Sequence, residues 1–521
     1  MESSFTPQDL QQLSIPDYYA GRSIFITGGT GFMGKILIEK LLRSCPDISH
    51  IYVLTRAKRG VDPQIRFQDI LEGRLFAPLR NNNPNILKKV VAIRGDVTEP
   101  RLGMSSSDEE LIIDTVSVIL HVAATVKFDD EMNNAIRMNV IGTYSIIDLA
   151  KKIKNLSSIV HTSTAYVHCY RPWTSKDQCG EQFYPMPIGK YDSLSPEELI
   201  AVYEDAKKNG IDKTDDILGT FPNTYIFTKV WAEKVLSEIA TDLPIVIMRP
   251  SIVTASWKEP FPGWVDNLNG PTGILAAAGV GLMQTMYCIR WKRADLIPVD
   301  LACNLLGVLP WKVGTRDSKA LTIYNCTSGY EAPLTWGDVA TALRYLMKYP
   351  LEKMLWYPYA CSSSWVMSPM KNYKFLDRVC RVLFHWMPAY FIDTVCAILR
   401  IKNTSRVRLV QKMTKAMKVL EYFSTREWHW DKKNVMALYD EVSVKDRQLF
   451  RFTFHGFEGW DRYLEKTMLG TREFAMKSSS DSMDDCRHTL GMFYAVHQLW
   501  KLFLFGMFYF LLSMMWAKVF A

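Results

Sequence analysis

The stretch TGGTGFMG at residues 27–34 is the clearest indication of the fold of this chain. It follows the short apolar run RSIFITG (residues 22–28) and precedes a segment with helical spacing at 32–44. Glycines let the backbone approach an anion at a helix N-terminus, where free N–H groups and the helix dipole favour negative charge. A strand, a glycine turn and a helix in this order predict a dinucleotide-binding turn; a simple glycine-rich turn is the alternative.

Further short apolar runs alternate with helical stretches after this turn. The predicted strands lie at 50–55, 89–95, 116–123, 157–164 and 243–250, and a long helix is predicted at 131–153. This alternation indicates right-handed βαβ units and an α/β fold with a doubly wound parallel sheet of the Rossmann type. Residues 171–222 interrupt the rhythm and are interpreted as an insertion over the sheet edge. Residues 257–298 are interpreted as loops closing over a ligand, with ordinary connections as the alternative.

The end of the second predicted strand indicates which dinucleotide is bound. The chain there is TRAKR (55–59), without an acidic residue. An acid would bind a ribose 2′-hydroxyl, whereas an arginine pairs with a 2′-phosphate through forked hydrogen bonds. The sequence therefore favours NADPH over NADH, with Arg56 as the phosphate ligand and a surface ion pair as its alternative. Asp96, after the third strand, is expected to bind the adenine amino group or to cap a turn.

Tyr225 and Lys229 form the pattern Y-x-x-x-K. Residues four apart share one face of a helix, so a lysine ammonium is expected to lie near the phenol. Its charge would lower the phenol pKa and let the phenol exchange a proton near neutral pH. The pattern is common by chance, but its position after the fifth strand and a polar insertion favours a nicotinamide-dependent reductase.

Three polar residues are candidates to assist this pair. Thr164 ends the fifth predicted strand, where a hydroxyl could bind a substrate carbonyl, and its neighbour Ser163 competes for that role. Asn139 is expected to support the adjacent helix or a proton-relay water.

Composition excludes several classes of protein. The chain has 521 residues, of which 48% are hydrophobic and 22% charged, with a formal net charge of +8. These values exclude a disordered chain, a collagen and a transporter with many spans, and they do not demand nucleic acid. The ten scattered cysteines form no CxxC pair, so we expect a reducing compartment and no metal site.

The two ends of the chain differ. Residues 1–21 lack the basic and apolar regions of a secretory signal. Between Lys501 and Lys518 lie 16 uncharged residues, LFLFGMFYFLLSMMWA. A helix of about 20 apolar residues spans a bilayer, and lysines at its ends can reach the interface. We expect a membrane-embedded tail at 491–518 with the bulk of the chain cytosolic; an interfacial or oligomer-packing helix is the alternative.

The region before this tail carries two unusual segments. Residues 379–399 are apolar but interrupted by Arg381, His385, Pro388 and Asp393, which favours a buried or half-embedded hairpin over a span. Residues 400–418 hold seven Lys or Arg residues and no acid, at the spacing of a basic amphipathic helix. Its charged face is either solvated or in contact with anionic lipid headgroups.

Together, these motifs resemble one family. The glycine turn, Thr164 and Y-x-x-x-K are similar to those of extended short-chain dehydrogenases/reductases. LHVAATVKF (120–128), NTYIFTK (223–229), RPSIV (249–253) and SWKEPFPGWVDNLNGPTG (256–273) resemble more narrowly the alcohol-forming fatty acyl-CoA reductases, which are related to the male-sterility proteins. The match covers about residues 20–345, and 350–470 resembles the extra C-terminal domain of that family. Gly29 is a small departure, since many members have alanine there, and we expect it to be harmless.

The resemblance implies reduction of a long-chain fatty acyl-CoA to a primary alcohol by NADPH, with release of CoA and an aldehyde stage. It implies Tyr225, Lys229 and Thr164 as catalytic residues. It also implies a membrane contact through the tail, with peroxisome first and endoplasmic reticulum second as its location, no nucleic acid, and a homodimer left open. The cofactor-binding residues that it implies are Thr27, Gly28, Thr30, Gly31, Phe32, Gly34, Arg56, Asp96, Ala123, Lys229 and Pro250.

The same comparison sets the expected domains. They are an N-terminal extension at 1–20, the NADPH-binding Rossmann domain at 21–345, a helical C-terminal domain at 350–475, a linker at 476–490 and the membrane tail at 491–518. Two other functions stay open. A membrane-tethered hydroxysteroid dehydrogenase would share the glycine turn and Y-x-x-x-K but release no CoA. A non-catalytic nucleotide-binding scaffold would bind NADPH without consuming it.

Overall fold

A computed structural model describes residues 13–57, 60–174, 177–187, 189–191, 193–316, 320–358, 374–401, 405–479 and 481–520. The chain divides into two compact units. The first comprises Met1–Phe261, Asp295–Pro333 and Trp428–Phe457, and the second comprises Pro262–Ala294, Leu334–Glu427 and Glu458–Ala521. Each unit is therefore assembled from segments that are distant in sequence.

A seven-stranded parallel sheet forms the centre of the first unit, in the order β3-β2-β1-β4-β5-β6-β9. Its strands are β1 Ser23–Thr27, β2 His50–Thr55, β3 Val90–Arg94, β4 Val116–His121, β5 Ser158–Thr162, β6 Ile245–Pro250 and β9 Thr322–Cys326. Two short parallel strands, β7 Ile252–Thr254 and β8 Leu296–Pro298, form a separate pair. The predicted doubly wound α/β fold is confirmed.

The strand order explains where a ligand can bind. The chain runs outward from β1 to β3 and then returns to place β4 on the other side of β1. Because parallel crossovers are right-handed, this reversal places the connecting helices on opposite faces and opens a crevice at the carboxyl ends of β1 and β4. β1 is buried at every residue, as expected for a strand covered on both faces.

The helices of the first unit connect and cover these strands. Helix Val299–Gly314 packs against helix Phe32–Ser44, and its sixteen residues are almost all buried. The described α-helices are Ile15–Tyr19, Phe32–Ser44, Pro63–Glu72, Ala77–Asn82, Ser106–Thr115, Met132–Ile136, Gly142–Lys152, Pro196–Lys208, Thr214–Leu218, Thr224–Ile239, Val299–Gly314, Lys433–Glu441 and Val444–Leu449. Short 3-10 helices lie at Arg74–Phe76, Pro84–Lys89, Pro100–Gly103 and Ala165–His168.

The second unit is helical, as predicted for the C-terminal region. Its α-helices are Gly270–Gly279, Trp336–Ala342, Tyr345–Lys348, Lys374–Arg381, Met387–Ile398, Arg406–Ser424, Trp460–Gly470 and Met483–Phe520. Wider π-helical turns lie at Val382–Trp386 and Thr471–Ala475, and one also lies at Arg137–Ile141 in the first unit. Met483–Phe520 contains the one segment among the described residues that is long and apolar enough to cross a membrane.

Candidate active site

The glycine turn connects β1 to helix Phe32–Ser44 at the crevice. Gly28 has a φ of 75°, and a Cβ there would lie 2.6 Å from the backbone nitrogen of Ala123. A Cβ at Gly34 would lie 2.3 Å from the carbonyl oxygen of Gly28. Since both distances are far below van der Waals contact, only glycine fits at these two positions, and the turn closes tightly against the end of β4.

The N-terminus of helix Phe32–Ser44 fits the pyrophosphate of an NAD(P) cofactor. Its N-cap is Gly31, and no side chain accepts a capping hydrogen bond there in the described part of the chain. A helix that starts without a side-chain cap keeps its positive end for an anionic ligand. Thr27 serves the scaffold: its Oγ1 lies 2.7 Å from His121 Nδ1 and accepts a hydrogen bond from the Ala123 N–H at 3.3 Å.

Three cations meet beside this turn, at the end of β2. Arg66 donates to the carbonyl oxygen of Arg56 at 2.9 Å and to Oγ1 of Thr30 at 3.2 Å. Burial and the charge of Arg66 lower the pKa of Lys35 to about 8, and burial together with Arg56 lowers the pKa of Arg66. Mutual repulsion of this kind is relieved by an anion. The sequence pattern predicted only Arg56 as a ligand of the 2′-phosphate; Arg66 and Lys35 were not predicted.

Asp96 adopts the turn geometry that was the alternative to adenine binding. Its Oδ1 accepts hydrogen bonds from both the backbone N–H and the hydroxyl of Thr98, each at 3.0 Å. Its second oxygen lies 3.8 Å from the guanidinium of Arg56. Lys58 and Arg59, also in the TRAKR stretch, lie outside the described residues.

Tyr225, Thr164 and Lys229 lie around the carboxyl end of β5, on the edge of the sheet that also carries the glycine turn. Tyr225 stands in the first turn of helix Thr224–Ile239, whose N-cap Asn223 accepts from the Ile226 N–H. The Thr164 hydroxyl faces the phenol of Tyr225 and opposes the rise in its pKa. Thr164, and not its neighbour Ser163, is therefore the hydroxyl that contacts the phenol.

Lys229 points to the backbone of β5. Its Nζ donates to the carbonyl oxygen of Thr162 at 2.7 Å. Burial lowers the pKa of Lys229 to about 8, with Glu233 opposing that shift. Burial also raises the pKa of Tyr225 to about 12, opposed by Thr164. The expected lowering of the phenol pKa by Lys229 is not seen: burial raises that pKa, and the ammonium is directed to the Thr162 carbonyl oxygen.

Asn139 supports the helix that carries this pair. It lies in the π-helical turn Arg137–Ile141, a distortion that is frequent at functional sites. Its Nδ2 donates to the hydroxyl of Thr228 at 2.9 Å, and its Oδ1 accepts from the N–H of Thr125 at 2.9 Å. Asn139 thus ties the loop after β4 to the helix of Tyr225, which is the supporting role expected for it.

A buried ion pair fixes the other side of that helix. The Arg249 guanidinium donates to both carboxylate oxygens of Glu233, at 2.9 and 2.5 Å. Glu233 follows Lys229 by one helical turn, and Arg249 is the penultimate residue of β6. This fork joins helix Thr224–Ile239 to the sheet and places a negative charge near the Lys229 ammonium.

Trp430 approaches the site from a distant part of the sequence. Its indole N–H donates to the carbonyl oxygen of Ala165 at 2.8 Å, and its ring packs edge-on against Tyr166. Ala165 directly follows Thr164, so a segment near the C-terminus holds the turn that carries the site hydroxyl. No pattern in the sequence indicates this contact.

Ala123 and Pro250 complete the predicted set at the carboxyl edge of the sheet, after β4 and at the end of β6. A dinucleotide turn, a facing Thr–Tyr pair and a buried lysine on one sheet edge define an NAD(P)-binding oxidoreductase of the extended short-chain dehydrogenase/reductase class. A family model described as Male sterility protein matches residues 26–306, and a second with the same description matches 384–478. The chain belongs to the fatty acyl-CoA reductase family.

The relatives that support this assignment cover nearly the whole chain. Over 484 residues it is 38% identical to fatty acyl-CoA reductase 1 of Rattus norvegicus, covering 92% of this chain and 89% of that protein. It is 32% identical over 494 residues to fatty acyl-CoA reductase 2 of Homo sapiens, covering 94% and 92%.

A solved structure supports the fold. The terminal R domain from the myxalamid biosynthetic pathway is similar with a TM-score of 0.54 at 20% identity, over 88% of this chain and 93% of that one.

Proposed function

We propose that this chain reduces a long-chain fatty acyl-CoA to the primary alcohol with NADPH as the hydride donor. As a member of the fatty acyl-CoA reductase family, it is an oxidoreductase that forms fatty alcohol from acyl-CoA. The pairing of the Thr164 hydroxyl with the Tyr225 phenol at the carboxyl edge of the sheet carries the proposal for the site. It offers two hydroxyl donors at the sheet edge where a nicotinamide cofactor binds in this fold.

Thr164 and Tyr225 stabilise the oxygen of the reacting carbonyl. Both hydroxyls donate to that oxygen as it gains negative charge, and preorganised donors of this kind are usually the largest electrostatic contribution to acyl chemistry. The raised pKa of Tyr225 keeps its phenol protonated at neutral pH. A protonated phenol is the state that reduction requires, because the alkoxide must receive a proton.

The conversion of an acyl-CoA to a primary alcohol requires two reductions. When bound, NADPH supplies one hydride for each of them. In the first, the thioester carbonyl becomes tetrahedral, its C–S bond breaks and CoA leaves as the thiolate, so that an aldehyde remains. In the second, the aldehyde oxygen takes its proton from Tyr225. No cysteine lies in the motifs around the site, which disfavours an acyl-enzyme.

Lys229 holds the active-site end of β5. Its bond to the Thr162 carbonyl fixes the strand that leads into Thr164. A lysine in this position would also bind the nicotinamide ribose, as the resemblance implies. Its lowered pKa places its titration close to physiological pH, so its charge can follow the protonation of the site.

The cluster of Lys35, Arg56 and Arg66 supports NADPH over NADH. Charge-assisted hydrogen bonds from guanidinium groups to phosphate are the strong kind, and Arg can make two at once. The 2′-phosphate of NADPH would relieve the repulsion among these cations. A 2′-hydroxyl would not.

The apolar helix supports a membrane location. Helix Met483–Ala517 is long and apolar enough to cross a bilayer, and none of its most apolar stretch is buried in the protein. A long acyl chain partitions into bilayers, so an enzyme held there can collect its substrate and release an insoluble alcohol. We place it in the peroxisomal membrane first and the endoplasmic reticulum second; imaging of the tagged chain against markers of both tests this order.

The decisive experiment incubates the purified chain with NADPH and a panel of acyl-CoAs of increasing length. We expect two NADPH oxidised and one free thiol released for each alcohol formed, with little rate when NADH replaces NADPH. One hydride per turnover without thiol release would indicate the hydroxysteroid-type alternative. NADPH binding without consumption on any acyl-CoA would indicate the scaffold.

A further inference from the structure

In the second unit, two polar residues of the segment Lys374–Trp386 are buried, Asp377 and His385. Asp377 forms an ion pair with Arg381, and His385 Nε2 accepts from the backbone N–H of Gln284 at 2.8 Å. The residues that interrupt the apolar run therefore face the interior of the unit.

Asp393 interrupts the same run and also has a structural partner. Its carboxylate accepts from the N–H groups of Arg406 and Val407, at 2.8 and 3.1 Å, and from the hydroxyl of Ser405 at 2.7 Å. It caps the N-terminus of helix Arg406–Ser424. The carboxylate of Asp393 is therefore occupied by hydrogen bonds within the second unit.

The outer face of this segment is apolar. Phe391 is 60% exposed and Ile398, seven residues later on the same helix face, is 73% exposed. A surface helix of a globular protein normally shows the opposite pattern, with its apolar stripe buried. A contiguous exposed patch of this kind marks an interaction surface. Its exposed apolar residues are Val382, Tyr390, Phe391, Ile398, Leu399 and Ile401.

Helix Arg406–Ser424 presents a basic face next to this patch. Its buried side consists of Val410, Met413 and Met417. Its exposed side carries Arg408, Lys412, Lys415 and Lys418, within about one third of the helix circumference. None of these four cations forms an ion pair with a carboxylate of the residues that the structure describes.

The apolar patch lies at the place where the apolar C-terminal helix leaves the unit. The Trp500 indole N–H donates to the carbonyl oxygen of Leu383 at 3.3 Å, and its ring lies 6.3 Å from that of Phe391. The uncharged run of the tail begins two residues later, at Leu502. The apolar face, the basic face and the start of the tail are therefore neighbours.

We propose that the apolar patch and the basic face of Arg406–Ser424 form one surface that lies in the headgroup region of an anionic bilayer. This rests on the proposed function in one respect, the insertion of the C-terminal helix, which holds the surface at the lipid. Apolar side chains enter the headgroup boundary, and lysines and arginines bind anionic headgroups.

A second copy of the chain fits this surface less well. A symmetric pairing of the same face would bring the basic helices of both copies together, with four cations on each side and no acid among them. Like charges of that number repel each other, whereas a phosphatidylserine surface attracts them.

The test uses the full chain in vesicles of phosphatidylcholine, with or without phosphatidylserine. A carbene reagent dissolved in the bilayer is activated by light, with glutathione in the water to consume reagent outside the lipid, and labelled peptides are identified by mass spectrometry. We expect label in the peptides of Val382–Ile401 as well as in the tail, and several-fold more in Val382–Ile401 when phosphatidylserine is present. Label confined to the tail would overturn the proposal.

A double variant separates this surface from the tail. Phe391→Asp with Ile398→Asp is expected to lose label in Val382–Ile401 several-fold while the tail keeps its label. Val444→Asp, at a residue 70% exposed in the first unit, is the matched control and should change neither. Lys412→Glu with Lys415→Glu should remove the increase caused by phosphatidylserine. Unchanged labelling in these variants, or cross-linking of two copies through Phe391, contradicts the proposal.

Two further readouts show which proposal has failed. Loss of tail label as well would show that the membrane anchor itself is wrong. Alcohol formation measured in detergent reports the reductase chemistry independently, and we expect it to stay within about twofold in all of these variants, since none lies at the site.

Discussion

The indole N–H of Trp430 donates to the carbonyl oxygen of Ala165 over 2.8 Å, although 265 residues separate the two in sequence. The next peptide N–H, that of Tyr166, donates to Oγ1 of Thr164 at 3.2 Å. Trp430 therefore holds the short turn that sets the orientation of the site hydroxyl. The segment around it also pairs with the chain at Cys179 through two backbone hydrogen bonds. A part of the C-terminal half is thus built into the first unit.

Replacing Trp430 tests this positioning role. Trp430→Phe keeps an aromatic ring against Tyr166 but removes the N–H donor, at a cost of about 1–1.5 kcal/mol. We expect kcat to fall about tenfold while the KM for NADPH stays within twofold. Trp311→Phe, which removes a similar indole bond to the Leu13 carbonyl, is the control. Equal kcat in the two variants would show that Trp430 is only structural.

Arg66 is expected to determine cofactor preference together with Arg56. Arg66→Gln removes one charged partner for the 2′-phosphate, so we expect the KM for NADPH to rise about tenfold while the KM for NADH stays unchanged. Steady-state kinetics with both cofactors measure this, and Arg80→Gln, whose arginine donates to the Leu71 carbonyl, is the control. An equal rise for both cofactors would remove Arg66 from specificity.

The pH dependence of the reaction should report Lys229. Its pKa of about 8 means that the ammonium is present below pH 8 and is lost as the pH rises through that value. Because we propose that the ammonium form holds the end of β5 and binds the nicotinamide ribose, kcat/KM should decline above about pH 8. In Lys229→Arg, the remaining activity should show no such decline, since a guanidinium stays charged. A profile that is flat from pH 7 to 9.5 in the unchanged protein would contradict this role.

We expect that the close packing around Gly29 leaves no room for a side chain at this position. A Cβ there would lie 2.4 Å from Cγ1 of Val53, so Gly29→Ala forces the valine to move. Overpacking of this kind costs about 1–3 kcal/mol of folding free energy. Denaturant unfolding should show this loss, and Gly29→Ala combined with Val53→Ala should recover part of it. A single Gly29→Ala variant of normal stability would show that Val53 adapts freely.

Much of the fold was predictable because its signals are local. Each of the first six strands of the sheet is a short apolar run in sequence, and the helix at 32–44 ends where predicted. Tyr225 and Lys229 were predicted as a pair because four residues make one helical turn. Thr164 was predicted because it follows a strand whose carboxyl end must face the crevice.

The contacts that were not predicted depend on folding over long distances. Arg66 is a half-buried residue of helix Pro63–Glu72, and only the crossover after β2 brings it to Thr30. Trp430 reaches Ala165 because Trp428–Phe457 belongs to the first unit. No change of amino-acid composition along the chain indicates that this segment belongs there. The direction of the Tyr225 pKa shift was wrong in prediction because burial is a property of the folded site and is absent from a sequence motif.

The segment at 379–399 shows the same limit from another side. Its three polar interruptions and one proline favoured a buried or half-embedded hairpin. In the structure Asp393 caps a helix and His385 accepts from a backbone N–H. Their partners are more than ten and about one hundred residues away. The exposed apolar face could not be predicted from the sequence, because it is recognised only when the partners of these polar groups are known.

The central claim is that Tyr225 donates the proton during reduction of an acyl-CoA. Tyr225→Phe keeps the ring beside Phe128 and leaves the glycine turn untouched. The measurement combines NADPH binding by fluorescence titration with alcohol and thiol formation by the same preparation. We expect an NADPH Kd within about twofold of normal and turnover lower by roughly 10²–10⁴, the usual contribution of a general acid. Near-normal alcohol formation in this variant would contradict it.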